Sequence, residues 1–226
     1  MTQLQPYYET ELGKLYHGDC LEIMPGLELD SIHLMIADPP YGTDFDFFNR
    51  PKKQALGKWA PNKNYEEIPY SWNKKKINPR FFELRKIMGE NQIIFGGQYY
   101  TDLLPPTNCW IIWDKNNTGN FGDFEMAWTS FKGANRIIKW TWNGAIKQVP
   151  EKRVHPNQKP EGLILELINK YSIPFECVID PTLGSGTTAV ACERLERKWI
   201  GIEIEEKYCE IAAKRIEQER KQLKLF

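Results

Sequence analysis

The sequence predicts an α/β protein built on a doubly wound, mostly parallel sheet with an antiparallel hairpin at one edge. Three observations lead there. Short continuous apolar runs, such as IHLMIA at 32–37, have the pattern of strands buried on both faces. Segments with helical spacing of apolar residues alternate with these runs. One polar, Gly-containing connection, NNTGNFGD at 116–123, joins two strand-like segments as a hairpin.

The elements follow in order. Residues 14–17 form a short strand and 21–27 a short helix, then the buried strand 32–37. Residues 43–78 are polar and broken by Pro51, Pro61 and Pro69, which marks a mobile, functional loop. Phe81, Leu84 and Met88 repeat at helical spacing, so 79–89 is a helix, followed by a buried strand at 92–95. A short helix at 99–104 stops before Pro105 and Pro106. The hairpin strands are CWIIWD at 109–114 and FEMAWTSF at 124–131. Leu163, Ile164, Leu167 and Ile168 give residues 161–171 an amphipathic helix with Pro160 just before it. The chain closes with strand 177–180, helix 187–195, strand 199–203 and helix 205–221. There is no internal repeat, and one domain spanning 1–226 is the size class for 226 residues.

Composition excludes several classes. Aromatic residues make up 13% of the chain, ample for a core, which argues against disorder. No run approaches the ~20 apolar residues of a membrane span, and the first residues lack the pattern of a secretory signal. Five cysteines are odd in number and widely spaced, with no CxxC and no zinc-like cluster. The expectation is a reduced, cytoplasmic protein without a metal. The formal net charge is zero, yet it is unevenly spread. Residues 50–80 hold nine Lys/Arg against two Glu, a net of +7, and residues 132–159 hold seven against one Glu, a net of +6. These segments are either solvated loops or a basic face for a polyanion.

Two motifs carry chemistry. The first is Asp180-Pro181-Thr182-Leu183-Gly184-Ser185-Gly186-Thr187-Thr188, a tight turn between a strand and a helix. Ligands of open α/β sheets bind where such turns lie, beyond the carboxyl ends of strands. No GK[ST] and no third glycine make it a phosphate loop or a dinucleotide turn. Glu203 ends the next strand, where a carboxylate can hold both hydroxyls of a ribose. The second is Asp38-Pro39-Pro40-Tyr41, directly after strand 32–37. The prolines fix the backbone and remove two donors. Asp38 and the Pro39 carbonyl can accept the two hydrogens of an exocyclic amine, and Tyr41 can stack on its ring. By ordinary residue frequencies this string arises by chance in such a chain on the order of once in a thousand.

These motifs resemble those of DNA amino-methyltransferases, which use S-adenosylmethionine. The tetrad at 38–41 looks like their catalytic motif and the turn at 180–186 like their cofactor turn. The catalytic motif precedes the cofactor turn, with the basic region between them, an order that resembles the beta class. Further matches are Gly18-Asp19-Cys20 and His155-Pro156-Asn157-Gln158-Lys159-Pro160. The resemblance covers nearly the whole chain. It implies a Rossmann-like methyltransferase sheet with circularly permuted order, the helix at 205–221 continuing in space into the strand at 14–17. Asp19, Asp38, Asp180 and Glu203 should then converge on one sheet edge. Singly, Asp19 also reads as a helix cap, Asp180 as an Asp-Pro turn and Glu203 as a solvated strand end.

The resemblance implies cofactor contacts from Asp19, Cys20, Asp38, Asp180, Pro181, Leu183, Gly184, Ser185, Gly186, Thr187, Thr188, Glu203 and Ile204, with Gln158 and Lys159 as secondary candidates. Asp at the first position of the tetrad favours adenine N6 over cytosine N4. The target is a base flipped out of duplex DNA, with Phe47 or Phe48 either a second wall beside it or hinge residues of the long loop. Lys74, Lys75 and Lys76 are the candidates for phosphates. Arg136, Lys139, Trp140 and Trp142 are the candidates for target recognition, in a small insertion at 132–154. A homodimer and a cognate restriction enzyme are the further partners implied, in a prokaryotic or phage-type cytoplasmic setting close to the nucleoid. The alternatives are a DNA cytosine-N4 methyltransferase, an RNA adenine or protein-glutamine amide methyltransferase, and a non-catalytic DNA-binding relative.

Overall fold

The computed structural model describes residues 4–27, 32–42, 75–89, 91–116, 122–142, 147–155 and 157–223. Among these the strands are β1 (Tyr8–Glu9), β2 (Gly13–His17), β3 (Ile32–Ala37), β4 (Asn91–Phe95), β5 (Ile111–Asp114), β6 (Phe124–Thr129), β7 (Arg136–Lys139), β8 (Cys177–Asp180) and β9 (Lys198–Glu203). The α-helices are α1 (Cys20–Ile23), α2 (Arg80–Leu84), α3 (Glu161–Tyr171), α4 (Thr187–Arg194) and α5 (Glu206–Leu223).

All the strands join one sheet, in the order β1-β2-β9-β8-β3-β4-β6-β5-β7. The run from β2 to β4 is parallel throughout. β6 is antiparallel to both β4 and β5, and β7 lies parallel to β5. The carboxyl ends of β2, β9, β8, β3, β4, β5 and β7 therefore share one edge.

Alternation along β3 separates the two layers. Leu34 and Ile36 pack into the core that holds Leu163, Ile164, Ala189, Cys209 and Ile216 of α3, α4 and α5. Met35 and Ala37 face the second core, with Ile23 of α1 and Phe81 and Phe82 of α2. A strand covered on both faces has no solvent side, which is why β3 reads as an unbroken apolar run.

The permuted order holds. β2 pairs in parallel with β9, Gly13 opposite Trp199 and His17 opposite Glu203. Three elements differ from the sequence reading. The segment 99–104 contributes only a 3-10 turn at Gly97–Tyr100. The 79–89 helix is shorter, α2 followed by a 3-10 turn at Arg85–Ile87. Part of the expected insertion is sheet: β7 is its edge strand, with only Ile138 of its four residues buried. Of the loop expected at 43–78, residues 43–74 lie outside the described residues. Among the described residues no helix is long and apolar enough to cross a membrane.

Candidate active site

A cavity of about 520 Å³ opens at the carboxyl edge of the sheet. The four strand-end acids Asp19, Asp38, Asp180 and Glu203 all line it. Cys20, Gln158, Lys159, Pro181, Leu183, Gly184, Ser185, Thr187, Thr188 and Ile204 line it too. A second concavity of about 590 Å³, beside Arg85, Gln92 and Trp128, holds none of the predicted residues.

The turn after β8 is held by its own side chains. Asp180 accepts from the Thr182 amide at 3.0 Å and from the Thr188 hydroxyl at 2.6 Å. Burial pushes its carboxyl up to about 6, against those hydrogen bonds. Gly184 and Gly186 sit at φ 57° and 87°, the left-handed region that favours glycine. A Cβ on Gly186 would lie 2.8 Å from Cβ of Ala212, so Gly186 lets the turn seat on α5. The Ser185 carbonyl and hydroxyl and the Thr187 hydroxyl all accept from Arg215.

Glu203 faces this turn from the end of β9. Its carboxylate accepts the Gly184 amide at 2.7 Å and the Glu205 amide at 2.9 Å. Burial pushes its carboxyl up to about 7. Each oxygen keeps a further lone pair for a ligand. Asp19 caps α1 by accepting from the Leu21 amide at 2.8 Å and also borders the cavity, so its two readings coincide. Cys20 is buried, and burial pushes its thiol up to about 12.

The tetrad leaves β3 at the same edge. The Asp38 amide donates to the Thr182 hydroxyl at 2.9 Å, joining the two motifs directly. The Tyr41 hydroxyl donates to Asp38 Oδ1, and burial raises the tyrosine's pKa. The Tyr41 ring stacks on Tyr99, centroids 4.9 Å apart. Gly96 permits this approach: at φ 66°, a Cβ there would lie 2.1 Å from the Tyr41 ring. The Pro40 carbonyl accepts from the Tyr100 hydroxyl and the Ile77 amide. The Pro39 carbonyl receives no hydrogen bond from the described residues. Phe47 and Phe48 lie outside the described residues.

Lys159 stands at the tetrad. Its Nζ lies 2.5 Å from Asp38 Oδ2 and 3.4 Å from Glu125 Oε2. Gln158 shapes the loop before α3, accepting from the Val154 amide and donating to Glu151. His155 is buried against Tyr208, and burial pushes it down to about 3, so it is neutral. Sequence reasoning missed Tyr99, Thr182 as a link, and Glu125. Of these, only Thr182 carried a signal, through its place inside the motif.

The DNA candidates divide. Lys74 lies outside the described residues. Lys75 and Lys76 are exposed and border the cavity, and Lys76 Nζ donates to the Tyr99 carbonyl at 2.6 Å. Lys139 ends β7 at the cavity edge, whereas Arg136 begins β7 at the opposite edge. Of the two tryptophans expected at the DNA surface, Trp142 is buried and Trp140 is half-buried. Trp142 belongs to the core beneath α3, and Trp140 packs against Gly162, where a Cβ would lie 1.9 Å from the indole. Burying the large apolar ring of Trp142 is favoured over exposing it.

Residues 62–214 match the family model described as DNA methylase. The chain is 27% identical to the type II methyltransferase M2.LlaDCHI of Lactococcus lactis subsp. cremoris, over 94% of this chain and 92% of the relative. It is 29% identical to M.HinfI of Haemophilus influenzae, over 92% of this chain and 69% of the relative. Among solved structures, the M1.HpyAVI complex with S-adenosylmethionine superposes with a TM-score of 0.57 and 26% identity, over 90% of this chain and 99% of that one. The cytosine-N4-specific PvuII DNA methyltransferase, at 17% identity, shares the fold with a TM-score of 0.61 and covers 93% of this chain and 88% of its own. Motif order, sheet topology and relatives agree that the chain belongs to the beta class of the S-adenosylmethionine-dependent DNA methylases that act on adenine N6 or cytosine N4.

Proposed function

We propose that the protein methylates adenine N6 in duplex DNA by direct displacement, at a base flipped out of the helix. The observation that carries this reading is Asp38 at the end of β3, tied through Thr182 to the glycine turn of the cofactor cavity. The residues fit S-adenosylmethionine. The cavity lies within the ~300–1,000 Å³ of ligand sites, and its carboxylates suit a cationic sulfonium and ammonium. Glu203 would hold the ribose hydroxyls, Asp19 and Ile204 the adenine end, and the 184–188 turn the methionine end. Bound there, S-adenosylmethionine supplies the methyl group.

The chain's own residues do the rest. Asp38 and the Pro39 carbonyl accept the two hydrogens of the target amine. This favours a more tetrahedral, more nucleophilic nitrogen, and Asp38 faces the positive charge that grows on it. Tyr41, stacked on Tyr99, is the ring that would stack on the base. Stacking of ~1–3 kcal/mol offsets much of the cost of flipping. Aspartate in the first tetrad position supports adenine as the target. Lys75, Lys76 and Lys139 border this edge and would meet phosphates, in a single domain whose recognition element includes β7.

The test is to supply unmethylated plasmid DNA with isotopically labelled cofactor, digest it, and identify the labelled nucleoside by mass spectrometry. N6-methyladenine is expected. N4-methylcytosine would move the target to cytosine, and transfer to RNA or protein alone would overturn the reading. Asp38→Ala should abolish transfer and leave cofactor affinity within a few-fold.

A further inference from the structure

We propose that Lys159 is a positioning residue for Asp38, clamped between that carboxylate and Glu125 so that Asp38 stays aimed at the target amine. The proposal rests on the role given to Asp38 above.

Four charges alternate through the site. Lys115 Nζ lies 2.5 Å from Glu125 Oε1, Glu125 Oε2 lies 3.4 Å from Lys159, and Lys159 lies 2.5 Å from Asp38. They come from four places in the fold: the exit of β5, β6, the segment before α3, and the exit of β3. The Lys159 side chain is 10% exposed and its ammonium lies 5.0 Å from the centre of the Phe95 ring. A charge this buried must be paired. Burial alone would lower the Lys159 ammonium, but Asp38 and Glu125 outweigh it and hold its pKa above the ordinary value. Burial would raise Glu125, but Lys159 and Lys115 hold it below. Both partners are charged.

Without the ammonium, Asp38 and Glu125 would be two carboxylates in one half-buried cluster. Such a pair favours protonation or separation. A protonated Asp38 donates a hydrogen where the target amine needs an acceptor. With Lys159 on Oδ2 and the Tyr41 hydroxyl on Oδ1, the carboxylate plane is fixed and its remaining lone pairs stay open. The cofactor's sulfonium and ammonium are themselves cationic, so an ammonium inside two carboxylates serves the acceptor side of the reaction better than it attracts the donor.

The experiment compares wild type, Lys159→Met and Lys159→Met/Glu125→Gln. Thermal midpoint, cofactor affinity by calorimetry and single-turnover methylation of plasmid DNA are measured for each. Lys159→Met is expected to lower the transfer rate roughly ten- to hundredfold, the range of one hydrogen bond to a charged group. Its cofactor affinity should stay within about threefold. The double variant removes the repelling carboxylate and should recover part of the rate. Should the single variant fail to fold, the double variant is expected to combine a reduced rate with unchanged cofactor affinity. A wild-type rate, or cofactor affinity that falls as far as the rate does, would overturn the proposal. An active Asp38→Ala would instead overturn the role of Asp38 itself.

Discussion

The backbone amide of Asp38 and the side-chain hydroxyl of Thr182 form a 2.9 Å hydrogen bond between residues 144 positions apart. Thr182 in turn takes its place from Asp180, whose Oδ1 accepts its amide. The tetrad's strand end and the glycine turn are thereby joined, and under the proposed mechanism methyl transfer depends on their relative placement. Thr182→Val keeps the shape and removes the acceptor. It should lower the transfer rate about tenfold or more while cofactor affinity changes little, since an unpaired amide there costs about 1–3 kcal/mol. Equal rates in single-turnover assays would show that the link is dispensable.

Glu203→Gln tests the ribose contact. The variant's one oxygen can still accept the Gly184 amide, which keeps the turn in place, while its NH2 replaces the acceptor of the Glu205 amide. Loss of a charge-assisted hydrogen bond amounts to roughly 1.5–3 kcal/mol, and cofactor affinity should fall by about one to two orders of magnitude in calorimetry. The thermal midpoint should drop modestly, because the Glu205 amide loses its acceptor.

The same two buried acids give a pH dependence. Burial raises Glu203 to about 7 and Asp180 to about 6, both above their ordinary range. Between the unfolded and folded values the native state holds more protons than the unfolded one, so stability falls as pH rises through that window. His155, held neutral at about 3, acts the other way below about pH 6.5, because there the unfolded imidazole binds the extra proton. Denaturant unfolding of the cofactor-free protein should therefore change little between pH 5 and pH 6 and decline by about 1–2 kcal/mol from there to pH 8. Glu203→Gln should flatten the upper part of that decline. A cationic cofactor favours the ionised acids, so its affinity should rise over the same window.

Gly184→Val should abolish cofactor binding. The backbone at φ 57° disfavours a β-branched residue, and the new Cβ would sit 3.5 Å from the His155 ring, at the cavity wall. Circular dichroism should retain the fold. Gly186→Val should be worse for stability, because its Cβ would collide with α5 at Ala212.

Trp142→Ala separates packing from recognition. At 7% exposure in the core, its loss should destabilise the protein by about 3–5 kcal/mol. The slope of log DNA affinity against log salt should not change. Lys75→Ala should flatten that slope by roughly 0.9 if its ammonium neutralises a phosphate. Lys76→Ala should act on activity as well, since its ammonium holds the Tyr99 carbonyl behind Tyr41.

Much of this fold is legible locally. β3, β8 and β9 are covered on both faces, so burial is written into contiguous residues. α3 and α5 show their buried stripe at helical spacing. β7 is not legible: with one buried residue in four it looks like a basic loop until the neighbouring strand is known. Trp140 and Trp142 sit among cations, and sequence alone does not tell a surface aromatic from one folded under a helix. The acids at the strand ends follow from motif and topology together. The partners of Asp38 do not: Lys159 is 121 residues away, and Glu125 and Tyr99 reach the site through the hairpin and a 3-10 turn.

The pairing of β2 with β9 also orders events in time. A chain growing from its amino end exposes Asp19 and β2 early, but β2 has only the two-residue β1 beside it until residues 198–203 are made. The helix that backs the glycine turn comes later still, at Glu206–Leu223. On the ribosome, then, the layer around β3, β4 and the hairpin can collapse first, and the cofactor cavity is the last part to close. A nascent chain lacking α5 carries the tetrad and every residue that lines the cavity, but not the helix on which Gly186 and Ser185 seat the turn.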